Sequence, residues 1–160
     1  MSESTRIAKL FSAWYNGNPW SYIKLSDILK DITADQAAKK PLQNANNIWQ
    51  LVQHCLGWRE NVLRKLKGED FQSPEDNYLS VPADVSEDAW KKLMILLAKN
   101  ENDWQEYLQN LDDKKLNEGY KPSKNEFTVY EVIHGLLHHD NYHFGQIVML
   151  KKMVGEMSGE

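Results

Sequence analysis

Apolar residues along this chain recur at helical spacing and never alternate as strands do. Ile7, Leu10, Phe11 and Trp14 stand at i, i+3, i+4 and i+7. That one-sided stripe predicts an amphipathic helix over about residues 4–16. Gly17, Asn18 and Pro19 end it through turn chemistry and a missing backbone donor. Residues 20–41 carry only short apolar runs, such as Ile23–Leu25, and read as a connection with one or two short helices, one of them over 34–39.

The second stripe is Ile48, Leu51, Cys55, Trp58, Val62 and Leu66, which predicts a helix over about 45–67 with Gly68 as its stop. Residues 69–85 are polar, contain two prolines and lack a period. A connection that long is either functional or a crossover. A third helix opens at Ser86, an N-cap followed by Glu87 and Asp88, which favour the positive end of the helix dipole. Its stripe runs Trp90, Leu93, Met94, Leu97, Trp104, Leu108 and Leu111, with one acidic residue, Glu101, near the centre. After a second long loop, 112–127, Thr128 and Glu131 form the T-x-x-E capping box of a fourth helix. Val132, Leu136, Ile147, Val148 and Leu150 carry that helix to about residue 153. Four long amphipathic helices without strand alternation or repeats predict an all-α four-helix bundle, with long inter-helix loops and short extra helices, in one domain over 1–160.

Charge and composition narrow the partners. The net charge of −4 and pI near 5.7 leave no basic footprint, so nucleic acid is not an expected partner. The longest uninterrupted apolar run, residues 93–98, is far short of the ~20 residues a membrane span needs. A single cysteine, Cys55, excludes an intrachain disulfide and fits a reducing compartment. The N-terminal MSESTRIAKLFSAWY has no apolar signal region. A soluble, cytoplasmic domain is expected.

The candidate chemistry lies in the fourth helix. At about 100° per residue, His139 and His143 lie one turn apart on the face that also carries Val132, Leu136, Gln146 and Leu150. Two imidazoles thus stand in the stripe that points into the protein. They are either core histidines satisfied by neighbours or a pair of metal ligands. His54, at the edge of the second stripe and flanked by Gln50 and Asn61, is by itself more simply structural. Packing the second and fourth helices through their stripes would bring all three imidazoles together. Three buried bases without a shared partner are costly to desolvate, and a shared metal removes that cost. Neutral nitrogen donors suit zinc, nickel or another first-row ion, and three protein ligands leave a position open for water or substrate.

Gln146 is a candidate to orient a ligand or substrate, or an ordinary inter-helix hydrogen bond. Glu101 is a candidate fourth ligand, general base or acceptor for a ligand imidazole, against the favoured reading of a carboxylate paired with a basic residue. His134 and His138 project 100–140° away from the other pair and read as surface or edge residues. Cys55 adjoins His54 in sequence, but adjacent helical residues diverge, so a buried structural thiol is the better reading. Trp58, a turn from His54, would wall a pocket. The segment His139-Asp140-Asn141-Tyr142-His143 imitates H-E-x-x-H with a shortened acid. Beyond it the chain offers no histidine and only Glu156 and Glu160 as carboxylates, which makes a protease reading weak.

Three stretches, DILKDITADQAAKKPL, NNIWQLVQHCLGWRENVLRKLKGE and HGLLHHDNYHFGQIVMLKK, resemble the DinB/YfiT-like superfamily over nearly the whole chain. The specific part is H-x-x-x-H followed by x-G-Q-I, with the earlier histidine on the second long helix. The resemblance implies a four-helix bundle whose three metal-binding histidines match His54, His139 and His143. It also implies zinc or nickel, a homodimer, and a small-molecule substrate. Some relatives are transferases or isomerases that use bacillithiol, mycothiol or glutathione, with the metal activating the thiol. The resulting expectation is thiol transfer to an electrophile. The alternatives are hydrolysis by metal-bound water, with Glu101 or Asp140 as base, and a non-catalytic metal-binding or interaction protein.

Overall fold

The computed structural model of the chain describes residues 1–121 and 127–158, the last three by their backbone only. Four long helices dominate it: α1 (Glu3–Tyr15), α4 (Ile48–Leu66), α5 (Glu87–Asn110) and α6 (Val129–Ser158). Two short helices, α2 (Leu25–Leu29) and α3 (Ala34–Ala38), lie in the connection between α1 and α4, and a 3-10 turn spans Asp113–Asn117. The described residues contain no strand, only an isolated antiparallel bridge between Gly119 and Thr128. The all-α bundle expected from the stripes is what forms.

Local chemistry sets the helix ends. Asn47, not residue 45, opens α4: its Oδ1 accepts from the Gln50 amide at 2.9 Å while Gln50 Oε1 accepts from the Asn47 amide at 3.2 Å. This reciprocal capping satisfies two orphan donors and explains the later start. Gly68, at φ 88°, closes the far end in a left-handed conformation that a side chain would disfavour. Ser86 caps α5 as expected. Thr128 and Glu131 cap α6, with the Glu131 carboxylate accepting from the Thr128 amide at 2.8 Å. Helix α6 runs about one turn past residue 153, its extension anchored by the buried Val154.

α1 packs chiefly on α5, α4 on α6, and α4 also on α5. The apolar core falls into two clusters. One gathers Trp14, Leu56, Trp90, Leu97, Ile147 and Leu150; the other gathers Phe11, Val62, Trp104, Leu108, Ile133 and Leu137. Along α4, α5 and α6 the gap between them is filled by the same kind of residue: Arg59 on α4, Asn100 and Glu101 on α5, and Asp140 on α6, all buried. A polar layer therefore crosses the bundle at mid-height, and the histidines lie at that level.

Candidate metal centre

Helix α4 carries His54, and α6 carries His139 and His143 one turn apart. The three rings converge, with centroids 4.9 Å apart for His54–His139 and 4.6 Å for each of the other two pairs. One ring nitrogen from each lies within 4.8 Å of the other two. The stripe-on-stripe packing expected from the sequence brings together His54, His139 and His143. His134, tilted against Tyr130 at 4.2 Å between centroids, and the exposed His138 lie outside the cluster.

Hydrogen bonds assign the protons. His54 Nδ1 lies 2.7 Å from the carbonyl oxygen of Asn77. A carbonyl only accepts, so Nδ1 carries the hydrogen and Nε2 keeps a free lone pair. His143 Nδ1 donates in the same way to Gln146 Oε1 at 2.7 Å. His139 Nδ1 has no hydrogen-bond partner among the described residues, and the nearest carboxylate oxygen, Asp140 Oδ1, is 3.6 Å away and equally unpartnered. His139 Nε2 lies 2.9 Å from the lone pair of His54 Nε2. A hydrogen on His139 Nε2 makes this an N–H···N bond, and a metal ion taking the place of that hydrogen would be met by both lone pairs.

The residues fit a divalent metal by convergence and by donor type: three imidazoles, two with Nδ1 fixed by an outer acceptor, as metal-bound histidines usually are. Burial lowers the pKa of His54 and of His143 below the ordinary 6.5, which keeps both neutral and ligand-competent at neutral pH. Nitrogen donors alone do not choose between zinc, nickel and other first-row ions.

The connection between α4 and α5 seals one side of this cluster. It is gripped by a ridge of side chains from α4. Gln50 donates to the Leu79 carbonyl at 2.6 Å, Trp58 Nε1 to Asn77 Oδ1 at 2.8 Å, and Asn61 to Ser73 Oγ at 2.8 Å and the Tyr78 hydroxyl at 2.9 Å. The Tyr78 ring lies against Gly57, where a Cβ would collide with it. Asn77 and Tyr78 both take left-handed backbone, at φ 55° and 61°, a conformation that costs a bulky residue about 1–2 kcal/mol. Gln50 and Asn61, which flank His54 on α4, thus hold the loop that orients it.

Arg59 organises the polar layer. Its guanidinium is fully buried and donates to Asn100 Oδ1 at 2.9 Å, Glu101 Oε2 at 2.5 Å and Asp140 Oδ2 at 2.9 Å. Its cationic carbon also lies 4.9 Å from the Trp14 ring and 5.2 Å from that of Phe11. Glu101 thus sits on Arg59, outside the three-histidine cluster. Its second oxygen accepts from Gln105 at 2.7 Å, and burial pushes its pKa up while Arg59 opposes that rise. This is the pairing with a basic residue that a central acid in an apolar stripe calls for. Asp140 turns its Oδ2 into the same layer; Glu160 and the side chain of Glu156 lie outside the described residues. Cys55 is a buried thiol whose pKa burial raises well above the usual value. Arg59 and Asn77 were not singled out from the sequence.

Fold and centre together define a helical bundle organised around a three-histidine cluster compatible with metal binding. The sequence pattern of the DinB superfamily matches residues 21–147, and the chain belongs to that family. No curated protein matches it in sequence. Among solved structures, it is similar to the crystal structure of a conserved protein from Enterococcus faecalis, at 15% identity and a TM-score of 0.68, covering 96% of this chain and 98% of the other. At that identity the likeness speaks for the fold.

Proposed function

We propose that this protein is a divalent-metal enzyme of small-molecule chemistry, and that its reaction is transfer of a low-molecular-weight thiol to an electrophile. The observation that carries the reading is the convergence of three imidazole nitrogens while the Nδ1 protons of His54 and His143 are fixed outward on Asn77 and Gln146. A zinc or nickel ion, when bound, lowers the pKa of a ligated thiol or water. His54, His139 and His143 would hold it, and three ligands leave room for a reactant. In the net reaction the sulfur forms a bond to the electrophilic carbon, the leaving group departs with its bonding electron pair, and the thiol proton passes to water. Trp58, 6.2 Å from His139 between ring centroids, would wall the reacting space. Cytoplasmic residence and a homodimer belong to the same proposal.

Hydrolysis is the second reading. The two carboxylates proposed as its base, Glu101 and Asp140, are buried and ion-paired to Arg59, which speaks against it. In a third reading the metal ties α4 to α6 without catalysis. Metal-loaded protein should consume a thiol in the presence of an activated aryl halide or epoxide, at a rate lost in His143→Ala. Cleavage of an ester or amide panel without thiol consumption would favour hydrolysis. Full metal loading with no turnover of either kind would favour the structural role.

A further inference from the structure

We infer that the groove between α4 and α6 is a two-lobed binding site for a neutral, largely apolar small molecule, laid across the three-histidine centre. The larger lobe is a cavity of about 580 Å³, walled by Leu42, Leu51, Met149 and Leu150, within the size range of small-molecule sites. The smaller is about 230 Å³, between Trp58, Val132, Leu136 and His139, with room for a single ring or branched alkyl group. Leu51 precedes His54 on α4 and Trp58 follows it; on α6 the larger lobe is lined by Tyr142 and residues after His143, the smaller by residues up to His139. The helices therefore run antiparallel here, and the lobes flank the centre on opposite sides.

The smaller lobe reaches the centre directly, and the larger one reaches it through the neighbours of His143. His139 itself lines the smaller one. Gln146 and Tyr142 line the larger one. Gln146 accepts from His143, and the Tyr142 ring meets His143 edge-on at 4.9 Å. The amide NH2 of Gln146 makes no hydrogen bond among the described residues, so it is available to a carbonyl or ether oxygen of an occupant.

The lining names the class of occupant. Neither lobe has a Lys, Arg, Asp or Glu side chain in its wall. A ligand with carboxylates would leave them in an apolar wall without counter-charge, which is costly. The carboxamides of Asn44, Asn46 and Gln146, with Tyr142, supply the orienting polar groups. A charged thiol co-reactant would thus keep its anionic groups in solvent, and the neutral partner fills the groove.

Two glycines keep that space open. Gly135 lines the smaller lobe and Gly145 the larger, both inside α6, and a Cβ at either would meet nothing within 4 Å. No neighbour demands glycine at these points, while helix propensity disfavours it. An empty position above the groove floor is a physical use for it.

Occupancy of the groove follows from its shape and lining alone, and only its role as the electrophile's site rests on the function proposed above. The test is titration of metal-loaded protein with the neutral fluorophore N-phenyl-1-naphthylamine, with metal content measured on the same samples. Saturable binding at one site, weakened at least tenfold in Gly145→Leu and in Met149→Asp with metal content unchanged, is the expected result. Met149 is half exposed, so the second variant tests the lobe with little demand on the core. No saturable binding, or binding that neither variant weakens, overturns the inference, and the metal measurement shows separately whether the centre stands. Equal or tighter binding of the anionic relative 8-anilinonaphthalene-1-sulfonate would overturn the assignment to a neutral ligand.

Discussion

His54 donates a hydrogen bond from Nδ1 to the backbone carbonyl of Asn77, 23 residues later in the chain, at 2.7 Å. That bond leaves His54 Nε2 as a free donor towards His139 and His143, so a polar loop prepares the candidate ligand. Asn77 holds its carbonyl in place from a left-handed backbone, at φ 55°.

Replacing Asn77 should therefore act on the centre without touching it. Asn77→Gly keeps the backbone conformation accessible, whereas Asn77→Val resists it. Metal affinity in Asn77→Val should fall about 10- to 100-fold, the usual effect of losing a partner behind a ligand, and Asn77→Gly should retain most of it. Competition with a chromophoric chelator measures both. Equal affinity in the two variants would count against the loop's role.

The polar layer gives a stability prediction. Arg59→Met leaves Glu101 and Asp140 buried without their cation. The loss should be about 3–5 kcal/mol by urea denaturation. Glu101→Gln preserves an acceptor for Arg59 and should cost markedly less while leaving metal content unchanged, because Glu101 faces Arg59 and Gln105. Loss of metal in Glu101→Gln with the fold intact would place it among the ligands after all.

How much of this was legible in the sequence depends on where each signal lives. Helices and ligands were readable because both repeat with the helix period: His139 and His143 stand in a stripe, and a T-x-x-E box marks where α6 begins. Glu101 was visible as an acid in an apolar stripe. Its partner could have been found by the same logic, since Arg59 is four residues after Cys55 and three before Val62, inside the stripe of α4. Asn77 could not. It works through a backbone carbonyl, a group every residue has, brought to His54 by a loop without periodicity. The start of α4 shifted because Asn47 caps it, a local hydrogen bond that apolar spacing does not report.

The pH dependence has a definite sign. The folded-state pKa values of His54 and His143 are lowered from 6.5, chiefly by burial. The unfolded chain then binds protons more readily, so this part of the stability is fully present above the unfolded pKa of about 6.5. It is lost as pH falls through the folded values. The Tm of metal-free protein should be level from about pH 8 to 7 and decline below about 6.5. A His54→Gln, His143→Gln double variant should show a shallower decline. An unchanged slope would mean that other groups dominate.

Cys55 should be chemically silent. Its thiol is buried and its pKa is raised, so little thiolate is present to react. Native protein should resist iodoacetamide over hours, and protein in urea should be alkylated at one site within minutes. Rapid labelling of the native form would indicate local opening of α4.

The central claim is that His54, His139 and His143 hold a metal ion, and its most direct test is metal content. Protein purified without a metal-binding tag should contain about one zinc or nickel ion per chain, or take up one equivalent when metal is added. His139→Ala should lose it together with several degrees of Tm, since a ligand bound only by the folded state stabilises that state. Metal-free protein that refuses added zinc and nickel, with His139→Ala melting at the same temperature, would contradict the account and leave the three histidines as a structural cluster.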